Sequence, residues 1–353
     1  MRRAKLIFQV AVTYIGTIVG AGFASGKEII QFFTQYGGLG TAGVLVSGIV
    51  FTWVGTKLLI YSSRIKAYSF KELVVHIFGE RVGMLIQWLI FFILFGTTAV
   101  MLSGAGAIFY EQLGLSKQLG IVISMLLCFL LLMKGLKGIF FINSLIVPIM
   151  FTFTIVMTVS IFFVGQGNES GHITLLLLSA GGYKWLFSAL SYVSFNLITA
   201  LAILVPLGKE IRDENVLSLG GFFGGLGFTL LLIMTHFVLL HYNQVISYDI
   251  PIAEVIKGFG GIIHLVFVIV IYGEIFTTFI GNIFGMTRQI QSVKPYNHIH
   301  VVIVLLGIAF FISQFGYGSL ISILYPFYGY LSMASLIYLM FVRLPKAGST
   351  FKK

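Results

Sequence analysis

Three clusters in this chain hold residue types at spacings that could do chemistry. The first is Gly16-Thr-Ile-Val-Gly-Ala-Gly-Phe-Ala-Ser-Gly26, followed at once by Lys27 and Glu28. The second is Glu274, Thr277, Thr278 and Gly281, at i, i+3, i+4 and i+7, which share one face of a helix. The third is the set Ser188, Ser191, Tyr192, Ser194, Phe195, Asn196 and Thr199, which interrupts an apolar run. No Ser/His pair, paired Asp or His-Glu-x-x-His pattern occurs, so the chain does not read as an enzyme. His236, His241 and His264 are scattered without metal-ligand spacing, and no cofactor motif is present.

The glycine cluster acts through its backbone. Four glycines within residues 16–26 weaken a helix, each by about 1 kcal/mol against Ala. Inside a membrane, freed N–H and C=O groups are tolerated only where they face protein, water or a ligand. Ser25-Gly-Lys-Glu28 then reads as a capping box before Ile29-Ile30, the signature of a helix that restarts. The amides at such an N-terminus suit a carboxylate. Gly20, Ala21, Gly22, Phe23, Ala24 and Ser25, with Tyr192, Ser194, Phe195 and Asn196, are the expected substrate site. Two plainer readings compete. Gly16/Gly20 and Gly22/Gly26 are also small-xxx-small pairs that let helices pack closely, and the span 6 hydroxyls can simply bond neighbouring helices. Lys27 and Glu28 are candidates for gating or charge compensation, although Glu28 also serves as a cap and Lys27 can snorkel outward.

Glu274 carries the case for ion coupling. It lies near mid-depth of its apolar run, where an unpaired carboxylate is protonated, paired or bound to a cation. The Thr277 and Thr278 hydroxyls are hard-oxygen ligands for a small cation. Thr hydroxyls also bond back to their own helix, which leaves Glu274 unexplained.

These clusters must be positioned by membrane helices. The chain has 353 residues, 58% hydrophobic and 9% charged, and mean hydropathy +1.03. A soluble domain carries about 25% charged residues, so a soluble enzyme, a nucleic-acid binder and a disordered chain are excluded. Ten apolar runs are long enough to approach or exceed a bilayer crossing: 6–36, 39–62, 82–113, 118–133, 139–164, 183–207, 216–240, 261–287, 299–314 and 320–342. The first continues past Gly26 to Phe33 and reads as a retained helix, not a cleaved leader. With the N-terminus inside, all of the 22 Lys and Arg except Lys27, Lys117, Lys184 and Lys257 fall on the cytoplasmic side. That predicts a multi-pass protein of the plasma membrane with both termini cytoplasmic. Pro251 predicts a short helix over Ile252 to Lys257 in the external connection.

The runs divide evenly into 6–164 and 183–342, five in each half. An odd number per half inverts the second relative to the first, the inverted repeat of secondary transporters. Thr97-Thr98 and Thr277-Thr278 fall at similar places in the two halves, as do Pro148 and Pro326. By that symmetry the sixth run is expected to be discontinuous, facing the break in the first. Asn143 and Ser103 read as packing residues.

The run from Gly16 to Phe33 resembles the start of the YkvI-type family of bacterial membrane proteins, related to the amino acid–polyamine–cation transporters with the LeuT fold. The resemblance implies an all-α protein with ten transmembrane helices in a five-plus-five inverted repeat, helices 1 and 6 being discontinuous. It also implies a sodium site at the carbonyls of Gly16, Val19 and Glu274 and the hydroxyls of Thr277 and Thr278. A second sodium site of such transporters needs an Asn where this chain has Phe23, so that site is expected to be lost. An acidic side chain at Glu274 departs from the sodium pattern and leaves proton coupling open.

The expectation is a single transmembrane domain over 1–353 that moves a small organic solute, an amino acid by resemblance, coupled to Na⁺ or H⁺ by alternating access. Its partners are the lipid bilayer and the solute, with no nucleic acid. A receptor or sensor that keeps a transporter fold without transport is the alternative.

Overall fold

The chain is described by a computed structural model over residues 2–67, 69–134, 139–164, 182–211, 213–294 and 296–346, and within these it is helical with no strand. The first apolar run is divided into α1 (Arg2–Ile18), α2 (Ala21–Ser25) and α3 (Lys27–Phe32). The second is α4 (Gly38–Val50) and α5 (Thr56–Ile65), joined by a π-helical turn at Phe51–Gly55. Then come α6 (Phe70–Ala107), α7 (Lys117–Lys134), α8 (Ile139–Val164), α9 (Lys184–Glu210) and α10 (Glu214–His241). A short α11 (Pro251–Lys257) precedes α12 (Gly261–Val293), α13 (His298–Ser313) and α14 (Tyr317–Phe341). The side chain of Asn143 and residues Lys137, Arg212, Lys352 and Lys353 lie outside the described residues.

Among the described residues six stretches are long and apolar enough to cross a membrane: Gly38–Ile65, Phe70–Gln112, Lys184–Glu210, Glu214–His241, Gly261–Gln291 and Tyr317–Phe341. Shorter apolar helices cover Lys117–Met133, Pro148–Ile161 and His298–Ser313. Trp88, Leu126, Ile262 and Phe311 point outward. In water such a surface would aggregate, whereas in lipid it is the ordinary exterior. The second stretch, Phe70–Gln112, overstates the crossing length, because Gly79 adopts φ 80° and turns the chain inside α6. The crossing portion lies beyond that turn, as the apolar run starting at 82 predicts.

Close helix packing places α1. A Cβ on Gly220 of α10 would lie 2.5 Å from Val10 Cβ, and one on Gly224 would lie 2.7 Å from Tyr14 Cδ1. Gly221 and Gly225 meet Thr56 and Thr52 on the other side in the same way. Here glycines do serve contact between helices. The Tyr14 hydroxyl then donates to the Phe51 carbonyl at 2.6 Å, inside the π-helical turn. This clamp holds α1 rigidly up to the point where it ends.

The sixth run corrects the expectation of a second break. α9 is helical without interruption from Lys184 to Glu210, so Tyr192, Ser194, Phe195 and Asn196 all sit in regular helix. The physical reason is local. The run has no glycine before Gly208, and its polar side chains bond to carbonyls without opening the ladder. Asn196 Nδ2 donates to the Tyr192 carbonyl at 3.0 Å, and Thr199 Oγ1 to the Asn196 carbonyl at 2.9 Å.

Candidate functional site at the break in the first span

The helix of span 1 stops at Ile18 and resumes at Ala21. Gly20 is extended, with φ −105° and ψ −177°. No helical backbone hydrogen bond is accepted by Gly16, Thr17, Ile18 or Val19, and none is donated by Gly20, Ala21, Gly22 or Phe23. Those carbonyls and amides are the bare peptide groups the glycine cluster predicts. A second interruption follows at Gly26, whose φ of 85° is a left-handed conformation that L side chains rarely adopt. The site is thus a one-and-a-half-turn helix, α2, suspended between two breaks.

The capping box is not formed as the sequence pattern predicts. Gly26, not Ser25, stands at the N-cap of α3, and no side chain caps it. The Ser25 hydroxyl accepts the Lys27 N–H at 3.3 Å, donates to the Gly22 carbonyl at 3.0 Å and meets the Tyr317 hydroxyl at 3.0 Å. Glu28 turns away from the cap. Its Oε1 accepts from Asn196 Nδ2 at 3.2 Å, joining span 1 to α9. Its Oε2 lies over Gly22, where an added Cβ would come within 2.4 Å. Lys27 does not snorkel: its ammonium donates to the carbonyls of Ile246 at 2.9 Å and Tyr248 at 2.8 Å.

The remaining predicted substrate residues divide. Tyr192 is buried beside Phe32, Phe33 and Phe51, and among the described residues its hydroxyl has no hydrogen-bond partner. Phe195 packs on Tyr325 with ring centroids 4.7 Å apart and the planes tilted by 39°, and the Tyr325 ring also borders Gly22. Ser194 is committed to α14, donating to the Gly329 carbonyl at 2.8 Å, and Ser188 and Ser191 donate to the carbonyls of Phe32 and Pro326. For these three serines the helix-packing reading describes what the hydroxyls do. Phe23 packs on Phe228 of α10 at 5.4 Å, while Ala21 and Ala24 are fully buried. Gly20 alone has open space where a side chain would point.

The predicted coupling residues come to the same place because α12 packs on α2. Glu274 is 2% exposed and its Oε2 has no partner. Thr277 Oγ1 donates to the Glu274 carbonyl at 3.1 Å, so this hydroxyl bonds within its own helix. Thr278 is half-buried and makes no hydrogen bond to a described residue. Among the described residues neither Glu28 nor Glu274 has a Lys, Arg or His within ion-pair distance. Two carboxylates stand buried without a countercharge.

Sequence reasoning missed three contributors. Tyr317 closes the break from α14, donating to the Ala21 carbonyl at 3.0 Å. A Tyr at the start of an apolar run reads as an interfacial anchor, yet this one is fully buried. Asn282 lies one turn beyond Thr278 and donates to Thr97 Oγ1 at 3.1 Å, tying α12 to α6. Its i+8 spacing from Glu274 was the available signal. The third is the outer cover. Glu111 accepts the N–H groups of Asp249 and Ile250 at 2.9 and 3.0 Å, and Asp249 accepts that of Gly318 at 2.9 Å. These bonds seat α11, the short helix Pro251 predicts, so that Ile252 meets Gly26.

A helix broken in the membrane against two long continuous neighbours defines a class, and solved structures share it. The chain aligns with the inward-facing conformation of Mhp1 at TM-score 0.63, covering 94% of this chain and 75% of that one at 14% identity. With Mhp1, a nucleobase-cation-symport-1 family transporter, closed on bromovinylhydantoin, the TM-score is 0.54 over 88% and 73% at 14% identity. A mutant manganese transporter of Eremococcus coleocola aligns at 0.53 over 97% and 89%, also at 14% identity. The fold is that of the LeuT-type transporters. The membrane protein YkvI of Bacillus subtilis (strain 168) is 40% identical over 341 residues, 97% of either chain. YyaD of the same organism is 26% identical over 92% of this chain and 94% of its own length. No protein-family model matches. The chain belongs to the YkvI family of membrane proteins.

Proposed function

We propose that this protein is a secondary active transporter that moves a small organic solute by alternating access, driven by Na⁺ or H⁺. The observation that carries this reading is the unwound Val19–Gly20 segment, which leads into α2, where the buried Glu28 carboxylate lies over Gly22 and on which the helix of the buried Glu274 packs. In this reading all ten apolar runs cross the plasma membrane as one domain, the halves 6–164 and 183–342 form the inverted repeat, and both termini are cytoplasmic.

Solvent reaches the break from one side. On α12, Thr278, Asn282 and Gly285 are partly exposed and Gly281 is exposed. They follow Glu274 on a face different from that of Ile262, Leu265, Val266 and Ile269, the exposed apolar residues. On α1, Thr13, Gly16, Thr17 and Gly20 make a matching partly exposed stripe at i, i+3, i+4 and i+7. The other side is covered by α11 and the Glu111, Asp249 and Lys27 hydrogen bonds. We read the state as open to the cytoplasm, and the higher TM-score to the inward-facing form of Mhp1 supports this.

Glu274, the free carbonyls of Gly16 and Val19, and the Thr277 and Thr278 hydroxyls are the proposed coupling site. An ion bound there favours one conformation only when present, which is how a gradient shifts a two-state equilibrium. The test is uptake by the full chain reconstituted in vesicles, with a Na⁺ or proton gradient imposed. Glu274→Gln should lower gradient-driven uptake by about tenfold or more, with the melting temperature held. Unchanged gradient dependence in that variant removes Glu274 from coupling, and absence of uptake for any amino acid or amine removes the transporter reading.

A further inference from the structure

We propose that the solute is recognised through a positive charge: an organic ammonium seated against Glu28, with the rings of Tyr192, Phe195 and Tyr325 around it. The inference rests on the transporter reading for what the site is for, and on the site's own chemistry for what it takes.

The half-helix N-terminus that the sequence offers to a substrate carboxylate already carries Glu28 in its first turn. A solute carboxylate brought there meets a like charge in a low-dielectric setting, which repels it more strongly than water would allow. Glu274, on the helix packed against α2, has the same sign and no countercharge. The local field therefore favours cations.

Glu28 is built to be half-used. It is 2% exposed. Oε1 takes one hydrogen bond, from Asn196, and Oε2 takes none from any described residue. The space Oε2 occupies exists because residue 22 is glycine. A Cβ there would lie 2.4 Å from Oε2 and 3.1 Å from Tyr325 Cε2, so the carboxylate and the aromatic ring converge on one point. Lys27, the adjacent cation, is bonded to the Ile246 and Tyr248 carbonyls instead.

Independent of the acids, the Tyr192 hydroxyl is fully buried without a partner. It stands one turn before Asn196 on α9, the residue that donates to both the Glu28 carboxylate and the Tyr192 carbonyl. A carboxylate with one free oxygen, an unpaired phenol and closely packed rings is an acceptor set for an N–H-bearing cation. The carboxylate supplies charge, the ring faces add cation–π attraction, and the phenol oxygen accepts an N–H. An amino acid satisfies this through its ammonium, and a simple amine does so without a carboxylate.

Two probe sets of matched shape separate charge from size: propylamine, propanol and propionate, and benzylamine, benzyl alcohol and benzoate. Each is titrated into the purified full chain in lipid nanodiscs, with melting temperature and calorimetric affinity as readouts. At least one of the two amines should stabilise the chain in a saturable way, with the alcohols and carboxylates weaker. Glu28→Gln should weaken amine binding about tenfold or more, and Tyr325→Leu about threefold. If Glu28→Gln does not purify as a single species, Tyr325→Leu carries the comparison. Stabilisation by the carboxylates over the amines, no binding of either amine, or equal amine binding by wild type and Glu28→Gln overturns the proposal. The two readings fail separately. Amine binding without uptake in vesicles sinks the transporter and keeps the charge preference, whereas uptake of propionate or benzoate but not of the amines does the reverse.

Discussion

Span 1 and span 6, paired in the inverted repeat proposed above, differ in one respect: of the two, only span 1 is broken. Both carry polar side chains at membrane depth. Span 1 adds glycines at 16, 20, 22 and 26, whereas span 6 has none before Gly208. In span 1 the helix loses its ladder, and peptide groups are left without helical partners. In span 6 the ladder stays whole and side chains do the work: Asn196 reaches Glu28, and Ser188, Ser191 and Ser194 bond neighbouring carbonyls. Polar residues alone do not open a membrane helix. Glycine removes helix propensity, while Ser, Thr and Asn satisfy themselves on the turn before.

The contrast can be broken most severely at Gly22. Leucine there would drive Glu28 from Asn196 and strike Tyr325, so uptake should be abolished; uptake within about twofold of wild type would show that these glycines serve only packing. Gly26→Ala comes next. It forces a Cβ into a left-handed position and to within 2.7 Å of Ile252 Cγ1. A loss of about 2 kcal/mol is expected, read as a lower melting temperature. Ile252→Ala in the same chain should recover the contact part and not the backbone part. The smallest effect is at Ser194 in span 6, where Ala removes the bond to the Gly329 carbonyl. A cost of about 1 kcal/mol with unchanged solute affinity is expected. A large loss of affinity there would return Ser194 to the binding site.

How far the site was legible follows from the range of each interaction. The interruption after Ile18 and the Pro251 helix depend on residues within one helical turn and occur in the stretches those residues mark, but the unwound part is shorter than the expected Gly20 to Ser25: Ala21–Ser25 is the helix α2, and Gly26 makes a second, left-handed break. The capping box is also a local pattern, yet it failed. Gly26 took the cap position, and Glu28 found a donor 168 residues away. The discontinuity expected of span 6 came from symmetry between the halves, and its own residues did not support it. A phenol at the start of an apolar run, as Tyr317 is, ordinarily suits the membrane surface. Only the approach of α14 to α2 makes it the closure of the break.

By itself the sequence settles the solvent, the helices and the position at which the first helix gives way. Apolar length and glycine content act along the chain and need no partner. Which carboxylate stays unpaired, which hydroxyls are consumed in packing and which side of the break water reaches were decided by the tertiary structure. A buried polar group takes whatever donor the neighbouring helices deliver, and that choice is made across 168 residues for Glu28 and 292 for Ser25.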